Sequence, residues 1–267
     1  MKIMNIQDVT LGQYLPRRSV IHRLDPRTKI AAAFLIMLFL LSVTQPRRLL
    51  FSMAAVFLLY RLARINMLLG LRNLRPFLFL FLITVAIHAF FTEGETVAFI
   101  PYTSLAITKE GLIYGIFYSA RICILIILAN LLTLTTAPMS LTDAVEYFLT
   151  PLKIIKVPAH EIGMMLSIAL RFFPILLAET DRIRKAQISR GATFQGPLRH
   201  KVNMISTLIV PLFVSTFRKA NELAMAMDAR CYSSSSRRTT LFELKFHTRD
   251  RIAFTLVFSF LIAGIIL

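Results

Sequence analysis

The sequence predicts an all-α polytopic membrane protein with about five transmembrane helices and a set of long helices on the cytoplasmic side. The chain of 267 residues is 56% hydrophobic, with a mean hydropathy of +0.67, whereas average proteins are about 45–50% apolar. Runs such as Ile30–Val43, Pro76–Phe91 and Leu112–Leu134 carry few or no charges. Runs of this kind are typical of membrane spans.

The net charge of +17 would suggest nucleic-acid binding on a soluble protein. Here the lysines and arginines bracket apolar runs, as the positive-inside bias produces. No basic face interleaved with base-stacking aromatic residues is visible. The charge therefore indicates contact with the lipid bilayer, through anionic lipid on the cytoplasmic leaflet, and no nucleic-acid partner.

Residues 1–136 are predicted to contain a basic leader and four spans. The leader covers residues 1–29, shows no cleavable signal peptide, and ends in Asp25-Pro26, which can start a helix. Gly111-Leu-Ile-Tyr-Gly115 begins the fourth span with small residues four apart, which permit close helix approach. The predicted spans are Thr28–Thr44, Leu49–Leu62, Pro76–Phe91 and Leu112–Thr136.

Counts of lysine and arginine set the predicted orientation. The leader has six and the loop after the second span has four, whereas the turn after the first span has two and the loop after the third has one. Because short positively charged segments stay inside, the leader and the second loop are predicted to be cytoplasmic.

Residues 137–251 are predicted to form a cytoplasmic helical region, and residues 252–267 a final span. Ile162–Ala178 and Val202–Phe217 are apolar enough to cross the membrane. If both crossed, six positive charges would lie outside and Arg171 would lie in the hydrocarbon core, which costs about 2.5–3.5 kcal/mol. We therefore expect these helices to lie along or under the membrane. Seven spans are the alternative.

Two long helices dominate this region of the predicted structure. The first is expected to begin after Pro158, to kink at Pro174 and to end at Arg190-Gly191, where glycine suits a left-handed helix cap. The second is expected from about Lys201 to Arg230.

Catalytic and metal-binding patterns are missing from the sequence. The five histidines show no metal-ligand pairing, and Gly191–Gly196 has phosphate-loop glycine spacing but is followed by Pro197-Leu198 instead of Lys-Ser/Thr. We therefore expect no enzyme activity and no cofactor or metal bound by this chain. Arg121 in the fourth span is a costly intramembrane charge that needs a partner.

Five short motifs together resemble one known family. The chain is similar over nearly its whole length to the transmembrane (T) component of energy-coupling factor transporters, EcfT/CbiQ-like proteins that serve vitamin and transition-metal import. The motifs that carry the resemblance are Leu24-Asp-Pro-Arg-Thr-Lys29, Leu149-Thr-Pro-Leu-Lys153, Ala169-Leu-Arg-Phe-Phe-Pro174, Ser189-Arg-Gly-Ala192 and Asp228-Ala-Arg-Cys-Tyr232.

This resemblance implies a non-catalytic subunit of an ABC-type importer in a prokaryotic cell membrane. Its partners would be two ABC-type ATPase subunits, which bind ATP and Mg, and a substrate-binding integral membrane (S) subunit. The chain would couple ATP hydrolysis to reorientation of the S subunit, which sets the transported substrate. The alternative function is a self-contained secondary transporter or channel. Such a protein needs ionisable pairs at the midplane, and the first two spans contain no acidic residue.

In this family, two X-Arg-X tripeptides on long coupling helices dock the ATPases. By resemblance, the docking residues here are Ser189, Arg190 and Gly191 in the first tripeptide and Ala229, Arg230 and Cys231 in the second. Cys231 stands where the family usually has glycine, which leaves the geometry of the second helix end open. The residues expected to support the coupling helices are Arg171, Pro174, Glu179 and Asp228.

Overall fold

The computed structural model describes residues 14–17, 19–99, 106–155, 158–192, 197–232 and 246–267. Residues 1–13 and 18 of the predicted leader lie outside these ranges, and so does the predicted linker at 233–238. The helices are α1 (Pro26–Ser42), α2 (Pro46–Ala63), α3 (Met67–Arg72), α4 (Leu78–Phe91), α5 (Lys109–Thr135), α6 (Pro138–Leu149), α7 (Ala159–Ser189), α8 (Leu198–Ala229) and α9 (Thr248–Ile266).

The fold class predicted from the sequence, an all-α membrane protein, is confirmed. Two short antiparallel strands, β1 (Thr96–Phe99) and β2 (Ala106–Thr108), pair in the loop that follows α4. This hairpin was not predicted from the sequence, because strands of four and three residues are too short to show a period of two.

Three described stretches are long and apolar enough to cross a membrane, namely Met67–Phe91, Lys109–Thr135 and Ala159–Ser189. The first contains the predicted third span, and the second contains the predicted fourth span except for its last residue, Thr136. The predicted number of five spans is not confirmed. The last stretch is α7, which lies in the region predicted to be cytoplasmic and combines an apolar first half with a charged second half.

The chain forms two compact units. One contains the described residues from 14 to 144 and from 246 to 267, and the other contains those from 145 to 232. The predicted boundaries at residues 136/137 and 251/252 stay predictions. In the first unit, α1, α2 and α5 pack around Leu40, Tyr60 and Leu134, and the Tyr60 hydroxyl donates a hydrogen bond to the Ile127 carbonyl (3.1 Å).

The leader motif joins three helix ends in this first unit. The Asp25 carboxylate accepts a hydrogen bond from the Arg27 N–H (2.9 Å) and caps α1, as predicted. The Asp25 N–H donates to the buried Asp250 carboxylate at the start of α9 (2.8 Å). The Lys29 ammonium donates to the Thr135 carbonyl at the end of α5 (3.0 Å), where the helix dipole favours a cation.

Arg121 finds its partners at the end of α1. Its guanidinium donates to the carbonyls of Leu41 (3.1 Å) and Val43 (3.4 Å) and lies over the Tyr118 ring. These carbonyls belong to the last turn of α1 and the residue after it, where helices leave acceptors unused. The intramembrane charge therefore closes a helix end.

Candidate docking site

The first predicted tripeptide forms the end of α7. Arg190 terminates the helix at φ −85° and ψ 7°, and Gly191 adopts the left-handed conformation at φ +86°. The Gly191 N–H donates to the Ile188 carbonyl (2.9 Å) and the Ala192 N–H donates to the Gln187 carbonyl (3.0 Å). This pattern is a Schellman motif. The predicted glycine cap is confirmed.

The second tripeptide forms the end of α8 in the same way. Arg230 terminates the helix at φ −94° and ψ 15°. Cys231 occupies the left-handed region at φ +56°, although it is not glycine. The Cys231 N–H donates to the Asp228 carbonyl (2.9 Å) and the Tyr232 N–H donates to the Met227 carbonyl (3.0 Å). The geometry that the sequence left open therefore repeats that of the first tripeptide.

Both arginines point into solvent from these helix ends. Arg190 and Arg230 are exposed, as are Ser189 and Ala229 beside them. Neither guanidinium has a hydrogen bond or an ion pair with the residues that the structure describes. Because the Schellman bonds already satisfy the nearby carbonyls, all five N–H donors of each guanidinium remain available to another molecule.

An ion pair joins the two helices that carry these arginines. Lys219 of α8 and Glu179 of α7 lie 3.5 Å apart, with 27% and 22% of their side chains exposed. Glu179 precedes Arg190 by 11 residues, and Lys219 precedes Arg230 by 11 residues. We call the helix segment between the ion pair and the arginine the arm of each helix. With a rise of about 1.5 Å per residue, each arm is roughly 16 Å long.

Most other charges near the end of α7 pair within the helix. Asp181 accepts from Lys185 (2.6 Å) and from Arg184 (3.2 Å). Arg182 is exposed on the same helix and makes no ion pair with a described residue. It is therefore a matched comparison for Arg190, with the same charge before the last turn of the helix.

The remaining predicted support residues lie at separate positions on α7 and α8. Arg171 and Pro174 are exposed in the middle of α7, and the helix continues through Pro174. Asp228 is exposed in the last turn of α8, where its carbonyl accepts the Cys231 N–H. Of the four support residues, only Glu179 links the two helices through its side chain among the described contacts.

Comparison with known proteins gives one consistent result. The family model described as "Cobalt transport protein" (CbiQ) matches residues 17–241. The energy-coupling factor transporter transmembrane protein EcfT of Clostridium kluyveri is 43% identical over 93% of this chain and 92% of its own length. The EcfT of Thermanaerovibrio acidaminovorans is 41% identical over 97% and 96%, and that of Acidaminococcus fermentans is 42% identical over 92% of both chains.

The chain belongs to the CbiQ/EcfT family. The predicted resemblance is thereby confirmed, and the family covers both long helices and both tripeptides. Members of the family are transporter membrane components, which is consistent with a non-catalytic subunit.

Three structural partners in this EcfT-family chain escaped the sequence analysis. Lys219 pairs with Glu179, Asp250 accepts the Asp25 N–H, and His160 of α7 contacts the Glu146 carboxylate of α6 (2.8 Å). A side chain at Gly163 would collide with the Glu146 carboxylate, so this glycine leaves room for the last contact. Partners of the other two lie 40 and 225 residues away in sequence.

Proposed function

We propose that this chain is the energy-coupling membrane subunit of an ECF-type importer, in which Arg190 and Arg230 each dock one of two ATPase subunits. The observation that carries this proposal is the repeated helix end. Two exposed arginines sit at identical Schellman motifs and at equal distances from one ion pair. An arbitrary helix-end cation, favoured by the dipole by about 0.3–1 kcal/mol, does not require such a match.

Arginine suits this docking role because its planar guanidinium satisfies several acceptors in one groove. The residue after each arginine has a left-handed conformation, so the backbone turns away and leaves the arginine at the tip of the helix. Ser189 and Ala229 offer little bulk beside it. A groove on each ATPase can therefore enclose the helix tip.

The ion pair between Glu179 and Lys219 would act as the pivot of the two helices. ATP binding and hydrolysis, with Mg, take place on the ATPases in this proposal, and this chain binds neither cofactor. When the ATPases close, they move the two arginine-bearing tips. The arms beyond the ion pair contain no proline, so each can transmit this movement as a rigid rod of about 16 Å.

The apolar faces of α7 and α8 would receive the substrate-binding membrane subunit. On α8, Val210, Phe213, Val214 and Phe217 are each 58–65% exposed, and on α7 Met165 is 57% exposed. Exposed apolar surface of this kind marks contact with lipid or with another subunit. The cargo, a vitamin or a transition-metal ion, would bind to that subunit.

The orientation we propose places the N-terminus and both tripeptides in the cytoplasm of a prokaryotic cell. Positive charges in the leader and beside the predicted second span support this orientation, since such segments remain inside. ATP-driven partners also require their docking sites on that side.

The experiment that tests this function is copurification of the ATPases with charge-reversed variants. Arg190→Glu and Arg230→Glu should each weaken recovery of the ATPases, and the double variant should abolish it, while the chain stays in the membrane. Arg182→Glu and Arg218→Glu are matched controls, because both arginines are exposed on the same helices, before the last turn of each.

Equal recovery with the tripeptide variants and the matched controls would overturn the assignment of the docking sites. If no wild-type preparation carries ATPase chains, the coupling function itself fails. A secondary transporter would then be the better proposal.

A further inference from the structure

A large apolar cleft lies in the first compact unit. Its volume is about 360 Å³, which falls within the roughly 300–1,000 Å³ of small-molecule sites. It is lined by α1, α2, α5 and α9. Alanines at positions 32, 33, 55 and 253 face it, so the space arises because small side chains meet there.

Exposed apolar side chains of α2 and α9 border the cleft. Leu58 and Leu62 of α2 line it and are 58% and 47% exposed. Ile252 and Leu256 of α9 also line it and are 54% and 63% exposed. Exposed apolar side chains of this kind are typical of a surface that contacts lipid or another protein.

One end of the cleft is closed by aromatic rings. Phe260 lines the cleft and stacks on Phe51, with ring centroids 4.9 Å apart, and meets Phe39 edge-on at 5.7 Å. Nearby, the Arg48 guanidinium donates to the Ile265 carbonyl (3.1 Å), which holds α2 against α9. The cleft therefore has a floor.

Two basic side chains lie at the opposite end of the cleft. Arg249 lines it and is exposed, and the Lys29 ammonium lies buried beside it. The carboxylates of Asp25 and Asp250 act electrostatically on the Lys29 ammonium. The Asp25 carboxylate accepts from the Arg27 N–H, and the Asp250 carboxylate accepts from the Asp25 and His247 N–H groups. The negative charges of Asp25 and Asp250 offset the charge of Lys29, whereas Arg249 makes no ion pair with a described residue.

The length of the cleft fits one lipid leaflet. Arg249 and Phe260 mark its ends and are 11 residues apart on α9, which corresponds to roughly 16 Å. Half of a hydrocarbon core of about 30 Å has the same depth. We propose that the cleft binds one acyl chain of an anionic glycerophospholipid, whose phosphate contacts Arg249.

The test uses the purified full-length chain in nanodiscs of equal phosphatidylglycerol and phosphatidylcholine, followed by native mass spectrometry of retained lipids. Arg249→Gln should lower the retained ratio of phosphatidylglycerol to phosphatidylcholine about fivefold, the effect of one basic residue near anionic lipid. Arg251→Gln is the matched control, since Arg251 is exposed on the same helix and does not line the cleft. Equal effects of both changes would reduce the preference to general surface charge and overturn the proposal.

A second experiment fills the cleft with a larger side chain. Ala253→Trp should lower retention of both lipids, whereas Ile262→Trp, at an exposed position of α9 outside the cleft, should not. Full retention with Ala253→Trp contradicts the proposal. So does loss of the retained lipid when partner subunits bind, which would assign the cleft to a partner helix.

A third experiment does not depend on the filled variant being folded. The chain contains no tryptophan, so a single Leu62→Trp reports on the border of the cleft. Brominated phosphatidylglycerol should quench its fluorescence more than brominated phosphatidylcholine, and Leu78→Trp, exposed on α4, should show no such preference. Equal quenching of Leu62→Trp by both lipids contradicts the proposal.

Discussion

Glu179 and Lys219 form a 3.5 Å contact between α7 and α8, and each lies 11 residues before the exposed arginine at its own helix end. The contact is the only described ion pair that joins these two helices. Because the arms are equal, the position of one tip relative to the contact matches that of the other. The pair therefore fixes a common reference point for both proposed docking sites.

Breaking this pair should impair coupling more than stability. Glu179→Gln and Lys219→Gln should each cost only about 0.5–1 kcal/mol, because both side chains are partly exposed and water screens them. Uptake per ATP hydrolysed by the reconstituted complex should nevertheless fall, and the reversed pair Glu179→Lys with Lys219→Glu should restore it.

The matched control breaks an ion pair inside one helix. Asp181→Asn with Lys185→Gln removes the 2.6 Å contact within α7 and should leave coupling unchanged. If this change lowers coupling as much as Glu179→Gln does, the link between the helices has no special role.

Cys231→Gly should stabilise the end of α8. A residue with a side chain is strained at φ +56°, and glycine removes a strain of roughly 1 kcal/mol. Thermal unfolding of the second compact unit in detergent should therefore shift upward, and recovery of the ATPases should be retained. Cys231→Ala is the control and should not shift the transition, because alanine has the same Cβ.

Gly191→Ala tests the same geometry in the opposite direction. No atom lies within 4 Å of a Cβ built at Gly191, so the change adds only backbone strain at φ +86°, about 1 kcal/mol. The unfolding transition should move down. An unchanged transition would mean that this helix end frays without affecting the measured unfolding.

Asp250→Asn should destabilise the first compact unit by about 1–3 kcal/mol. Its two carboxylate oxygens accept the Asp25 N–H (2.8 Å) and the His247 N–H (2.9 Å). The amide of asparagine would place a donor against one of these donors. Thermal unfolding measures the loss, and Glu222→Gln, at an exposed position on α8, should have little effect.

His22 should make stability depend on pH. Its Nε2 lies 3.0 Å from the Leu15 carbonyl, which can only accept, so Nε2 carries the proton and Nδ1 accepts from the Ser19 hydroxyl (2.7 Å). Burial lowers the pKa of His22, and the charges of Lys29 and Arg17 act in the same direction. His22 therefore contributes fully to the free energy of unfolding above the pKa of an unfolded histidine, about 6.5. This contribution is lost as the pH falls below that value toward the lower pKa of His22 in the folded protein.

The measurement for this effect is the unfolding temperature between pH 8 and pH 5. His22→Gln cannot titrate and should flatten the decline seen below about pH 6.5 in the wild-type chain. A decline of equal steepness in both proteins would assign the pH dependence to other groups.

Local signals predicted much of this structure from sequence. Asp25-Pro26 predicted the start of α1. Gly111 and Gly115 predicted close helix packing, and in the structure a side chain at either position would collide with the backbone of α4. Arg190-Gly191 predicted a helix end because glycine adopts positive φ without strain. Each of these features depends on residues close together in the chain.

Features that depend on distant residues could not be predicted in this way. The partner of Glu179 depends on where α7 crosses α8, and the partner of Asp25 lies at the opposite end of the chain. The left-handed conformation of Cys231 could not be predicted, because most residues other than glycine avoid this conformation. The sequence also did not decide whether α7 crosses the membrane or lies on its cytoplasmic side, because the two halves of the helix differ in polarity.

The bond between Asp25 and Asp250 also bears on the order of biosynthesis. The first compact unit begins near the N-terminus but takes its last helix from the final residues of the chain. Until the ribosome releases α9, the start of α1 lacks the acceptor for the Asp25 N–H, and Phe39 and Phe51 lack the ring of Phe260. The nascent protein therefore carries a first unit without these contacts while α7 and α8 are being made.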